Sequence, residues 1–210
     1  MKIQIAKALI EKNCVKFSAQ NPFTYASGLK GPIYCDNRLI LSHVEFRNMV
    51  IEGFLKAIKD NQLRFDLIGG IATAGIPHAS FIADRLKLPM VYVRPKAKDH
   101  GKKNQVEGDF SKGQNVLLVE DLVNQGSSLA DAMRGIKDCE LTSSHCLAVV
   151  DYQMSEAQTR LNDLNLKLIS LTDFEHLILA ASELKMISEK DRELLIKWHA
   201  DPKGWSASLA

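Results

Sequence analysis

The chain has 210 residues, 46% of them hydrophobic and 25% charged, which is enough to bury one sizeable core and excludes a disordered chain. Its 27 basic and 25 acidic residues leave a net charge of +2, so no global field points to nucleic acid or to a membrane surface, and affinity for an anion has to be built locally. The four cysteines, Cys14, Cys35, Cys139 and Cys146, show neither CxxC spacing nor a disulfide-dense pattern, and reduced structural thiols in a cytoplasmic protein are expected.

Lys2, Lys7, Glu11 and Lys12 interrupt the first residues, unlike the uncharged run of a signal peptide. No segment reaches membrane-spanning length. Ile3, Ile5, Ala6, Leu9 and Ile10 recur at helical spacing, predicting a short amphipathic helix that ends near Asn13. Val15 to Phe17, Phe23 to Tyr25 and Ile33 to Cys35 are short β candidates between turn-rich segments, as in an irregular subdomain. Val44 to Asp60 puts Val44, Met49, Val50, Phe54, Leu55 and Ile58 near one helical face.

From residue 66 strands and helices alternate, the signature of a parallel sheet with helices on its faces. Strands are expected over Asp66 to Gly70, Met90 to Val93, Val116 to Val119, Ser144 to Val150 and Leu166 to Leu171. Helices are expected after Gly75, over Leu129 to Lys137 and over Ser155 to Leu161. Two more close the chain, Asp173 to Leu184, capped by Thr172 or Asp173, and Ser188 to Ala200, capped by Ser188. The prediction is a five-stranded parallel sheet flanked by helices in one domain over residues 1–210. A small hood comes mainly from residues 1–42, the α/β core from 43–172 and C-terminal helices from 173–210.

Three stretches carry chemistry. In VLLVEDLVNQGSS, four apolar residues without alternation run into Glu120 and Asp121 and then into the turn Asn124 to Ser128. Open α/β sheets bind ligands at the carboxyl ends of their strands, and vicinal carboxylates there can accept bonds from two neighbouring sugar hydroxyls. The turn enters a helix, where free N–H groups and the dipole favour a phosphate. A plain strand, acidic turn and Ser-capped helix would read the same. Gly69 to Gly75, GGIATAG, is made of small residues that let backbone approach a ligand. It is neither a Walker loop nor a GxGxxG fingerprint. Arg94 to Phe110 places Arg94, Lys96, Lys98, His100, Lys102 and Lys103 before Glu107 and Asp109, with nothing apolar anchoring its middle. Cations on a long loop suit a ligand whose negative charge grows during reaction.

These stretches resemble the type I phosphoribosyltransferases. VLLVEDLVNQGSS looks like their phosphoribosyl diphosphate motif, and RPKAKDHGKKNQVEG looks like the basic loop of the orotate phosphoribosyltransferases. FTYASGLKGPIYCDNRLIL is similar to the hood of that branch, GGIATAGIPHA to its pyrophosphate loop and LTDFEHLILAASELKMI to its C-terminal part, so the resemblance spans almost the whole chain.

It implies transfer of ribose 5-phosphate from 5-phosphoribosyl 1-diphosphate to orotate in pyrimidine synthesis, with Mg²⁺ held mainly by substrate and water. Lys98, His100 and Asp121 are the implied catalytic groups. Glu120 and Asp121 would hold the ribose hydroxyls, and Leu122, Val123, Asn124, Gln125, Gly126, Ser127 and Ser128 would surround the 5'-phosphate. Arg94, Lys98 and His100 would contact the diphosphate, together with the loop Ala72, Thr73, Ala74 and Gly75. Asn124, Tyr34, Cys35 and Tyr152 are the implied orotate contacts. A cytoplasmic homodimer is implied, with Lys98 and His100 acting in the neighbouring subunit's site and no nucleic-acid or membrane partner. Departures fall at Asn124, Gln125 and Ser127 in the cradle, and at Ala26, Pro95 and Tyr152, where some members carry cations; Lys30 is a nearby substitute. A transferase for another base and a non-catalytic sensor of phosphoribosyl diphosphate are the alternatives. His43, His78, His145, His176 and His199 have no metal-site spacing and are expected in capping, surface or core roles. Trp198 and Trp205 are expected to pack the terminal helix or an interface.

Overall fold

The computed structural model describes residues 1–25, 27–95 and 104–209, which fall into two compact units, one of residues 1–43 and 172–210 and one of residues 44–171. The first unit opens with helix α1, Lys2–Glu11, which buries Ile5, Ala6, Leu9 and Ile10. Two small antiparallel pairs follow: β1, Val15–Phe17, with β4, Ile33–Cys35, and β2, Phe23–Thr24, with β3, Lys30–Gly31. Tyr25 Oη donates to the Ile33 carbonyl at 2.5 Å, tying the two pairs together. A 3-10 helix over Asn37–Ser42 ends this segment.

The second unit is the α/β core. Helix α2, Val44–Asp60, buries Phe46, Val50, Ile51, Gly53, Phe54 and Ala57. Then come β5 (Leu67–Ile71), α3 (Gly75–Leu86), β6 (Met90–Val93), β7 (Val106–Glu107), β8 (Val116–Val123), α4 (Ser127–Asp138), β9 (His145–Asp151), α5 (Ser155–Asp163) and β10 (Lys167–Asp173). The sheet order is β10-β9-β8-β5-β6-β7. β5 pairs in parallel with both β6 and β8, and β8 with β9. All five residues of β5 and the first five of β8 are buried. Full burial of a Leu, Ile or Val side chain stabilises by roughly 1.5–3 kcal/mol, and these strands concentrate such residues.

The sheet has six strands where five were expected. The additional one, β7, lies inside the polar stretch that follows β6 and runs antiparallel to it, Val93 facing Val106. Val106 is 3% exposed. That pairing anchors the far end of a stretch whose polar composition predicted only a loop.

The chain returns to the first unit through the last residues of β10 and three helices, α6 (Phe174–Glu183), α7 (Glu189–Ala200) and α8 (Pro202–Ala207). Asp173 caps α6, accepting from the His176 N–H, and Ser188 caps α7 in a reciprocal capping box with Asp191. Lys2 Nζ lies 2.7 Å from Asp173 Oδ2, so the first and last segments of the chain are joined within one unit. Trp198 is buried, its ring centroid 6.0 Å from that of Phe174.

Candidate active site

From β5 the chain steps to β6 on one side and later to β8 on the other. Loops leaving the carboxyl ends of β5 and β8 therefore diverge, which opens a crevice at the topological switch point. GGIATAG and the Asn124–Ser128 turn are the two loops at that place. Gly75 lets the first of these loops run close against β8, since a Cβ there would stand 3.2 Å from Glu120 Cα and collide with the Val119 carbonyl oxygen. The Ala72–Thr73 peptide is cis.

Backbone pairing carries β8 past its apolar half. Glu120, Leu122 and Val123 stand opposite Ala148, Val150 and Asp151 of β9. Glu120 and Asp121, expected just beyond the strand, lie within its second half. The ladder uses main-chain groups alone, so charged side chains do not end it. Successive residues of a strand point to opposite faces, yet the two neighbouring carboxyl groups remain close enough to interact. Glu120 is 6% exposed, whereas Asp121 is half-buried. The Asp121 N–H donates to Glu120 Oε1 at 2.9 Å. Burial first and the Asp121 charge second push the Glu120 carboxyl well above the usual carboxylate range.

A cavity of about 80 Å³ is lined by Glu120 and by the chain from Leu122 to Leu129. Gly126 is the N-cap of α4 with φ 74°, and no side chain caps that helix. α3 likewise starts without a side-chain cap. Uncapped first turns leave N–H groups for an anion at the positive end of each helix dipole. The turn is also held from behind, because Arg160 Nη1 on α5 donates to the Gln125 carbonyl.

Asp121 does not border the turn cavity. Its charge acts instead on His78, in the first turns of α3. His78 is 1% exposed, its ring 6.2 Å from that of Phe54. Burial lowers its pKa to about 4 despite the opposing pull of Asp121, so the imidazole is neutral at physiological pH. Its Nδ1 has no hydrogen-bond partner among the described residues.

Arg94 directly follows β6, with its guanidinium 3.4 Å from Glu107. Lys98 and His100 lie outside the described residues. Tyr34 and Cys35 belong to the first unit, on β4; Tyr34 packs 5.6 Å from the Phe23 ring, and Cys35 Sγ donates to Asn37 Oδ1 at 3.1 Å. Lys30 is exposed on β3, its N–H bonded to Ser206 Oγ at 2.9 Å. Tyr152 is 3% exposed, and its N–H donates to the Val123 carbonyl at 2.8 Å, next to the cradle. Sequence reading missed His78, Gln105 and Arg160 as neighbours of these loops. Only His78 carried a usable signal, an imidazole three residues past Gly75 on a helix expected to face the sheet.

Among the described residues, no group of three or more His, Cys, Asp or Glu side chains is arranged to hold a metal ion. No helix there is long and apolar enough to cross a membrane. A larger cavity, about 600 Å³, opens over Phe174, Ile178, Leu179, Ile196 and His199 in the first unit, and none of the sequence-predicted site residues borders it.

Residues 42–180 match a family profile described as a phosphoribosyl transferase domain. An orotate phosphoribosyltransferase of Coxiella burnetii is 46% identical over 202 residues, covering 96% of this chain and 97% of that relative. One of Enterococcus faecalis is 43% identical, with 96% of each chain covered. Among solved structures, orotate phosphoribosyltransferase from Aeropyrum pernix superposes with a TM-score of 0.71 at 26% identity, covering 86% of this chain and 99% of that one. UMP synthase from Leishmania donovani superposes with a TM-score of 0.78 at 25% identity over 94% of this chain, which spans 42% of that longer chain. With near-full-length identity of this order, and both small-residue loops at the switch point of a matching fold, the chain belongs to the phosphoribosyltransferase domain family, in its orotate phosphoribosyltransferase branch.

Proposed function

We propose that the protein transfers the phosphoribosyl group of 5-phosphoribosyl 1-diphosphate to orotate, giving orotidine 5'-monophosphate and pyrophosphate in pyrimidine synthesis. The observation that carries this reading is the meeting, at one switch point, of the carboxylates of β8 with two uncapped helix starts. Two anion sites flanking paired hydroxyl acceptors suit a sugar phosphorylated at both ends.

In this reading the turn from Leu122 to Ser128 wraps the 5'-phosphate through backbone N–H groups, and Glu120 and Asp121 accept the ribose hydroxyls. Ala72 to Gly75 and Arg94 take the diphosphate, helped by Lys98 and His100, which lie outside the described residues. Asn124, Tyr34, Cys35 and Tyr152 are assigned to orotate. As the bond from the anomeric carbon to the diphosphate breaks and the bond from the orotate nitrogen forms, positive charge builds on the ribose and negative charge on the leaving group. Asp121 is suited to the first, and Arg94, Lys98 and His100 to the second.

Mg²⁺ fits this donor set. A hard cation that keeps most of its waters needs one or two carboxylates plus substrate oxygens, and the half-buried Asp121 beside Glu120 supplies that much. When bound, the ion neutralises diphosphate charge. The working form is proposed as a cytoplasmic homodimer whose basic loops cross between subunits.

Orotate consumption with phosphoribosyl diphosphate and Mg²⁺ tests the reaction, against uracil, hypoxanthine and adenine as competing bases. Turnover with orotate alone is expected. Absence of turnover at every magnesium concentration would sink the proposal.

A further inference from the structure

We propose that Gln105 is a positioning residue that clasps the root of the basic segment to helix α4, and that Gly135 is its seat. This inference rests on the diphosphate role assigned to Arg94 above. The Gln105 side chain is 9% exposed, unusual for a glutamine at the edge of a polar stretch. Its Nε2 donates to the Arg94 carbonyl at 2.6 Å and to the Asp131 carbonyl on α4 at 3.1 Å, with the Pro95 carbonyl at 3.5 Å. The Gln105 carbonyl in turn accepts from the Arg94 N–H at 2.9 Å. Arg94 is thereby gripped through both its backbone groups by one residue.

Gly135 lies inside α4, where glycine is a poor helix former. A Cβ there would stand 2.9 Å from the Cβ, Cδ and Oε1 of Gln105. The helix gives up helix propensity at the one place where the glutamine inserts. Because α4 also starts at the turn proposed to hold the 5'-phosphate, the clasp fixes Arg94 to the same element that carries that turn.

Two substitutions from opposite sides test the clasp. Gln105→Glu keeps the shape but turns a carboxylate oxygen toward three carbonyl oxygens, and Gly135→Ala improves helix propensity while displacing the glutamine. Both are expected to raise the KM for phosphoribosyl diphosphate about tenfold and to leave the KM for orotate within about twofold. The double variant is expected to be no worse than either single one, because both act through one contact. Amide hydrogen exchange at Arg94 should accelerate in both variants, and this readout does not depend on turnover. An unchanged KM for phosphoribosyl diphosphate in the folded variants, or equal rises in both KM values in step with a lowered melting point, would overturn the clasp. A wild-type protein inactive toward orotate would defeat the functional reading instead; the clasp would then stand or fall on exchange at Arg94, and unchanged protection would refute it.

Discussion

Arg160 donates to the carbonyl of Gln125, thirty-five residues earlier, so the turn proposed to hold the 5'-phosphate is braced by α5 as well as by the start of α4. A hydrogen bond from a charged donor contributes about 1.5–3 kcal/mol, less when the donor is partly exposed, as Arg160 is. Arg160→Leu is expected to loosen the turn without touching substrate. Initial rates should show the KM for phosphoribosyl diphosphate raised roughly three- to tenfold, about 1 kcal/mol, with kcat at saturation nearly unchanged. A fall in kcat at constant KM would contradict the bracing role.

Gly126 gives a second handle on the same turn. Its φ of 74° lies in the left-handed region, and a Cβ there would come within 3.3 Å of Ala157 Cα on α5. Left-handed backbone costs an L-residue roughly 1–2 kcal/mol. Gly126→Ala should lower the melting temperature by several degrees and weaken the thermal shift given by phosphoribosyl diphosphate; a variant with wild-type melting and ligand shift would show that the turn tolerates another conformation.

Local signals delimit much of this fold. Periodicity alone bounds the helix Val44–Asp60 and the strand Met90–Val93, and the caps at Asp173 and Ser188 follow from side chains that compete for helix N–H groups. What was illegible depends on partners distant in sequence. β7 exists because Val106 meets Val93 across a polar excursion, and no periodicity marks a two-residue strand. The extension of β8 to Val123 depends on a ladder with β9, to which the charges of Glu120 and Asp121 are irrelevant. Of the site, the loops and carboxylates were readable as local composition. The supports were less so: only His78 left a signal in the sequence, while Gln105 and Arg160 act through contacts made only once the chain is folded.

Acid should weaken the protein in two separable stages. Burial holds the His78 pKa at about 4, below its unfolded value near 6.5, so the neutral form is favoured by folding. Its contribution is complete above the unfolded value and is lost as pH falls from about 6.5 toward 4. The shift corresponds to about 3 kcal/mol as an order of magnitude. Asp173 belongs to a lower window. Burial opposes its ionisation, but bonds from Lys2 and from the His176 N–H and imidazole outweigh that and hold it below the usual carboxylate range. Its contribution is present above the unfolded carboxylate value and is lost as pH falls through the folded one. Urea midpoints measured against pH should therefore fall first between about 6.5 and 4, and His78→Leu should flatten that stage while leaving the lower one. A profile unaffected by His78→Leu would mean that another group titrates there.

Glu120 links the site to pH with the opposite sign. Its folded-state pKa is raised, by burial first and by Asp121 second, so in the empty protein its contribution to stability is present below the unfolded value and lost as pH rises through the folded one. In the proposed role, ribose hydroxyls donating to the Glu120 carboxylate would favour its ionised form and so couple ligand binding to proton release. Affinity for phosphoribosyl diphosphate should rise with pH across the raised pKa and level off above it. Calorimetry in buffers of different ionisation enthalpy should detect proton release in that window. Glu120→Gln removes the titrating group and should leave an affinity nearly independent of pH over the same range. Asp121→Asn removes the like charge that helps to raise Glu120, and should move the rise to lower pH while weakening binding at all values. A wild-type affinity that is flat with pH, or a Glu120→Gln profile that keeps its slope, would show that the buried carboxyl does not meet the ligand.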